Sequence, residues 1–131
     1  MSDAQPERSW FEKADQDLEM ARRALGPDKP LPGMACYHAQ QCAEKYLKGY
    51  LIAHSVSFRF VHDLVYLVQL CAERESDFTA LMSAAEILSE YGTTVRYPMG
   101  GAAEPDIEAA RRAIVLAEQT VALVAQQLGV E

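Results

Sequence analysis

The sequence predicts an all-α protein, an up-down bundle of four long helices and one short one. Three observations carry this. Apolar residues recur at spacings of three and four through most of the chain, as one face of a helix requires. The hydrophobic half of the composition leans on alanine, which favours helix and close helix packing. β-Branched runs are almost absent, and the stretch from Val56 to Val61 is the best candidate for an extended piece.

The first helix is expected over residues 6–25. Phe11, Ala14, Leu18, Ala21 and Leu25 form its inward stripe, and Pro6 suits a first turn because its missing N–H would be unbonded there anyway. Gly26-Pro27 ends it and opens the stiff loop GPDKPLPG. The second helix is expected over residues 34–54. Cys36, Ala39, Ala43, Tyr46, Leu47 and Tyr50 collect on one side at ~100° per residue. His38, Gln41, Glu44, Lys45 and Lys48 collect on the other, and this polar side is expected to face outward.

SVSFRFV is a loop or short extended piece. A short helix over residues 62–73 follows, with Leu64, Leu67, Val68 and Cys71 at helical spacing. Ser76 or Asp77 can cap the next helix, which carries Leu81, Ala84, Ala85, Leu88 and Tyr91 and ends before Pro98. PMGGAAEP is a flexible loop. The last helix, residues 105–128, has a strict 3-4 repeat in Ile107, Ala110, Ile114, Ala117, Val121, Val124 and Leu128, a seam that calls for a partner helix.

The chain of 131 residues fits one domain, residues 1–131, with no internal repeat. A formal net charge of −7 argues against a protein that coats duplex DNA through charge alone, though a local basic pocket remains open. Cys36, Cys42 and Cys71 form no CxxC pair and are expected to be buried free thiols of a reducing cytosol. No signal-peptide core and no run of ~18 apolar residues is present, so a cytoplasmic protein without a membrane span is expected. Ligand-spaced His, Asp, Glu or Cys, nucleophile elbows and phosphate-cradling glycine loops are missing, so neither metal nor cofactor is expected.

Three stretches carry possible chemistry. Lys45 and Lys48 are close enough to share an anion, with Gln41 and Glu44 to orient them; the alternative is a solvated face of i,i+4 neighbours. In SFRFVHDL, His62 stands beside Asp63 and three residues after Arg59; the plainer reading is a helix cap with Arg59 lying on aromatic surface. In YGTTVRYPMGG, Arg96 lies where a helix ends and could grip phosphate with a bidentate fork, or serve only as a cation at a helix C-terminus.

Together, WFEKADQDLEMARRAL, YHAQQCAEKYLKGYL, HDLVYL and YGTTVRYP resemble the HEPN domain family of small helical nucleotide-binding modules. The resemblance covers almost the whole chain. It implies a helical bundle that forms a homodimer, often paired with a minimal nucleotidyltransferase-fold protein as a toxin–antitoxin-type module. It also places Gln41, Glu44, Lys45, Lys48, His62, Tyr91, Arg96 and Tyr97 on the family's motifs. HEPN ribonucleases carry an Arg followed four to six residues later by His. Here no histidine follows His62, so that pair is missing. The expectation is a non-catalytic module binding a nucleotide or RNA phosphate, a nucleotidyltransferase-fold partner, or both. A divergent metal-independent ribonuclease using Arg96 with His62 or Tyr97, and a purely structural interaction protein, are the alternatives.

Overall fold

A computed structural model of the chain describes residues 5–92 and 104–129. Among the described residues there are five α-helices: α1 (Glu7–Ala24), α2 (Pro32–Ala53), α3 (Leu64–Arg74), α4 (Met82–Ser89) and α5 (Ile107–Leu128). No strand occurs among the described residues, and 55–61 is irregular. The expected all-α bundle is what forms. The helix expected after residue 76 opens as a 3-10 turn, Ser76–Leu81, and becomes α-helical only at Met82. Neither Ser76 nor Asp77 caps it with a side chain.

Local chemistry sets the ends of the elements. The amide of Leu31 donates to Ala24 O at 2.7 Å, closing the loop after α1, and Pro32 occupies the first turn of α2. Ser55 takes a left-handed conformation (φ 58°) after α2, and the amide of Val56 donates back to Leu51 O. Asp63 caps α3 by accepting from the amides of Val65 and Tyr66, and Asp106 caps α5 by accepting from Ala109. Gly129 ends α5 with φ 73°.

α2 is the centre of the molecule. α1 lies antiparallel along it, with Phe11 stacked on Tyr46 at 4.9 Å between centroids. Gly49 lets the two helices approach: a β-carbon there would lie 2.4 Å from Phe11 Cε1. The chain returns along α2 through residues 55–63, so that α3 runs in the same direction as α2, with Cys71 Sγ 3.9 Å from Leu47 O. α5 also follows α2, its small stripe of Ala110, Ala113 and Ala117 fully buried. Leu47, Leu51, Leu64, Leu67, Val68, Phe78 and Leu88 fill the space between, each side chain adding roughly 1.5–3 kcal/mol by leaving water. Among the described residues, no helix is long and apolar enough to cross a membrane.

This arrangement corrects the reading of the α2 stripe as an outward polar face. Glu44 and Lys48 are buried, as is Gln40 between them and the helix start, while Gln41 and Lys45 are half-buried. The residues predicted inward are indeed core, but α2 has neighbours on its polar side too. α1 covers one flank of that side and the 55–63 stretch covers the other, which a periodicity argument made on one helix cannot see.

Candidate functional site

The polar residues of α2 form one hydrogen-bonded chain. Asp17 of α1 accepts from Lys45 Nζ at 2.7 Å and faces His38 Nδ1 at 2.8 Å. Lys45 also donates to Gln41 Oε1 at 3.0 Å, Gln41 donates to Gln40 Oε1 at 2.8 Å, and Gln40 donates to Glu44 Oε1 at 3.0 Å. Glu44 ends the chain by accepting from Lys48 Nζ at 2.9 Å, with His62 Nδ1 at 3.0 and 3.1 Å from its two oxygens. Two carboxylates thus each hold one lysine and one histidine, joined through a pair of glutamines. A buried carboxylate needs such partners, because desolvating an unpaired charge is expensive.

Lys48 sits under aromatic rings. Its Nζ lies 5.0 Å from the centroid of Phe60 and 5.9 Å from those of Trp10 and Phe58, an arrangement in which cation–π attraction is strengthened by exclusion of water. Phe60 covers the ammonium while remaining 87% exposed. Arg59 turns away and lies 4.3 Å over the Tyr66 ring, and its amide donates to the Tyr66 hydroxyl at 3.0 Å, which lowers the phenol's pKa. The plainer expectation for Arg59, that it lies on aromatic surface, therefore holds. His62 does not cap α3: Asp63 alone does, and His62 turns its ring to Glu44 while its side chain stays 65% exposed.

The third stretch touches the same network at its start. Gly92 lies against Gln40: a β-carbon there would be 3.4 Å from Gln40 Nε2, which also donates to His62 O at 3.3 Å. Tyr91 is half-buried just past the end of α4, close to the Cys36 thiol, and burial raises its pKa. Arg96 and Tyr97 lie outside the described residues. The structure thus brings Gln41, Glu44, Lys45, Lys48 and His62 into one network and sets Tyr91 at its edge.

Sequence reasoning missed Gln40, Asp17 and the ring cover of Trp10, Phe58 and Phe60. Gln40 directly precedes Gln41 in YHAQQCAEKYLKGYL. The ring cover was signalled by SFRF, two aromatics flanking an arginine just before His62, but the partner they cover lies on another element. Chemically, the network pre-orients an imidazole at the surface, with Nδ1 on Glu44 and Nε2 left for solvent or ligand. It offers little free positive charge, since Asp17 and Glu44 already neutralise Lys45 and Lys48.

Comparisons with known proteins agree with this architecture. The sequence profile of the HEPN domain matches residues 7–127. The crystal structure of TT1696 from Thermus thermophilus superposes with a TM-score of 0.79 at 30% identity, covering 94% of this chain and 98% of that one. ST0689, an archaeal HEPN homologue, gives a TM-score of 0.73 at 28% identity over 92% of this chain and 96% of the other. The protein of Methanocaldococcus jannaschii named "Putative toxin MJ1304" is 28% identical over 99 residues; the match spans 68% of this chain and 61% of that relative's length. With a family profile matched along nearly its whole length and the same fold in an archaeal HEPN homologue, the chain belongs to the HEPN domain family.

Proposed function

We propose that this chain is the HEPN half of a toxin–antitoxin-type pair, a module that binds a nucleotide or RNA phosphate and docks a minimal nucleotidyltransferase-fold partner without itself cleaving RNA. The observation that carries the reading is the convergence on Glu44. Residues from α2 and the loop before α3 meet at that carboxylate, and Gly92, which leads into TTVRYP, packs on Gln40 of the same network. Because Lys45 and Lys48 each already have a carboxylate, Arg96 adds positive charge for a phosphate, with His62 adding a donor at the rim and Tyr97 a ring to stack on. The absence of a histidine after Arg96 in the sequence supports binding over cleavage. The module acts as a homodimer, as its resemblance to the HEPN family implies.

A second reading is a metal-independent ribonuclease, favoured by one observation: the exposed imidazole of His62 is oriented by a buried carboxylate, as a proton-transfer group requires. One experiment separates the two. Labelled single-stranded RNA is incubated with the protein in the presence of a chelator, then assayed for retention and for cleavage. Retention of intact RNA by the wild type, lost in Arg96→Ala, supports the module. Cleavage lost in both Arg96→Ala and His62→Ala supports the nuclease. Neither retention nor cleavage removes both readings and leaves an interaction protein.

A further inference from the structure

The Trp10 ring lies 5.9 Å from the Lys48 ammonium. Beside it opens a shallow pocket of about 270 Å³ lined by Ser9, Trp10, Lys13 and Lys45. Within this lining, Lys45 is tied to Asp17 and Gln41, whereas Lys13 is exposed and has no hydrogen bond or ion pair among the described residues. The pocket therefore combines one indole surface, the aliphatic stems of two lysines and one unmatched ammonium. Its wall is mostly apolar.

We propose that the pocket formed by Ser9, Trp10, Lys13 and Lys45 binds a flat aromatic anion of nucleoside monophosphate size, with the ring against the indole and the phosphate on Lys13. The inference rests on the reading of this chain as a phosphate-binding module, and it names a place and a ligand form for that binding. Size argues for a single nucleotide: the cavity lies just below the roughly 300–1,000 Å³ of small-molecule pockets, too small to enclose a longer ligand. Stacking on an aromatic face contributes to base binding without regard to base identity, on the order of 1–3 kcal/mol per base, so little discrimination among bases is expected. Lys13 supplies what Lys45 and Lys48 do not, a cation with no internal carboxylate to displace.

Trp10 is the only tryptophan in the chain, so its emission reports directly on this pocket. The test is a fluorescence titration of the full-length protein with AMP, alongside adenosine and ribose 5-phosphate, each lacking one half of the proposed ligand. Saturable quenching by AMP is expected, with each half-ligand at least about tenfold weaker. Lys13→Glu, an exposed substitution, should weaken AMP at least about tenfold while leaving the melting temperature in place. Trp10→Phe, followed by calorimetry, should keep binding within a few-fold, and Trp10→Ala should weaken it by about tenfold or more. Binding of AMP that survives Lys13→Glu and Trp10→Ala but is lost in Arg96→Ala would overturn this pocket and leave the phosphate-binding reading standing. Absence of saturable binding would overturn the pocket outright, while RNA retention decides the broader reading independently.

Discussion

The Lys48 ammonium donates to Glu44 Oε2 at 2.9 Å with both side chains almost fully buried, 2% and 5% exposed. One turn of α2 thus carries an ion pair inside the protein. Removing one partner leaves the other charge desolvated and unmatched, which costs about 3–5 kcal/mol. Lys48→Ala and Glu44→Ala should each lower stability by that amount in urea melts. Glu44→Leu combined with Lys48→Met should cost less than either alanine substitution, because no buried charge is then left alone. Additive losses in the double variant would show that the pair is not coupled.

His62 tests the other arm of Glu44. Its ring is mostly exposed, so His62→Ala should change stability by no more than about 0.5 kcal/mol. The same variant should reduce RNA retention. An equal fall in stability and retention would mean that the imidazole serves packing alone.

Gly49 is where α1 and α2 come closest. A β-carbon 2.4 Å from Phe11 Cε1 must push the ring off Tyr46, so Gly49→Ala should cost about 1–3 kcal/mol. Adding Phe11→Leu to Gly49→Ala should recover part of the loss, a rescue readable by thermal melting.

His54 makes stability depend on pH. Burial first, and the nearby Arg74 second, lower its pKa below the ordinary 6.5, while Glu7 pulls the other way. Its Nε2 is buried without a hydrogen-bond partner, and its ring lies 4.6 Å from that of Tyr50. The fold favours the neutral ring, and the unfolded chain binds the proton more readily. The contribution is therefore fully present above pH 6.5 and is lost as pH falls through the lower folded value. Denaturant melts should show stability rising with pH across this window, with the slope reduced in His54→Asn.

The three thiols should be inert. Burial pushes Cys36 up to about 11 and Cys42 and Cys71 up to about 12, so almost no thiolate exists near neutrality. Mass spectrometry after iodoacetamide at pH 8 should find all three unmodified in the native protein and all three alkylated in urea.

Much of the fold was legible because it rests on periodicity. The stripe of α1 from Ala14 to Ala21 is buried as its spacing requires, as are Ala110, Ala117 and Val124 of α5. The rest of the seam expected on α5 is shifted: Ala113 and Thr120 complete its buried face, Ile114, Val121 and Leu128 are only half-buried, and Ile107 is exposed. The i,i+4 neighbours Gln41–Lys45 and Glu44–Lys48 are also hydrogen-bonded as expected. What the sequence hid was the depth of those residues. A Glu and a Lys four apart look the same on a wet helix as on a central one, and the difference lies in what another element supplies. Trp10, Phe58 and Phe60 come from helix and loop positions far from Lys48 in sequence, and Asp17 reaches Lys45 from α1. Such long-range pairings depend on docking geometry, which no single helical pattern encodes.

The central position of α2 also sets an order in time. The hairpin of α1 and α2 closes over a short loop and needs little chain entropy, so it can form soon after residue 54 is synthesised. α5 follows α2 in space but is the last of the five helices to be made, and until it arrives the surface of α2 that meets Ala110, Ala113 and Ala117 is bare to water. During synthesis the growing chain therefore carries an unfinished apolar groove for most of its length. Completion of α5, not of α1, is the step that closes this groove and lowers the aggregation risk it carries.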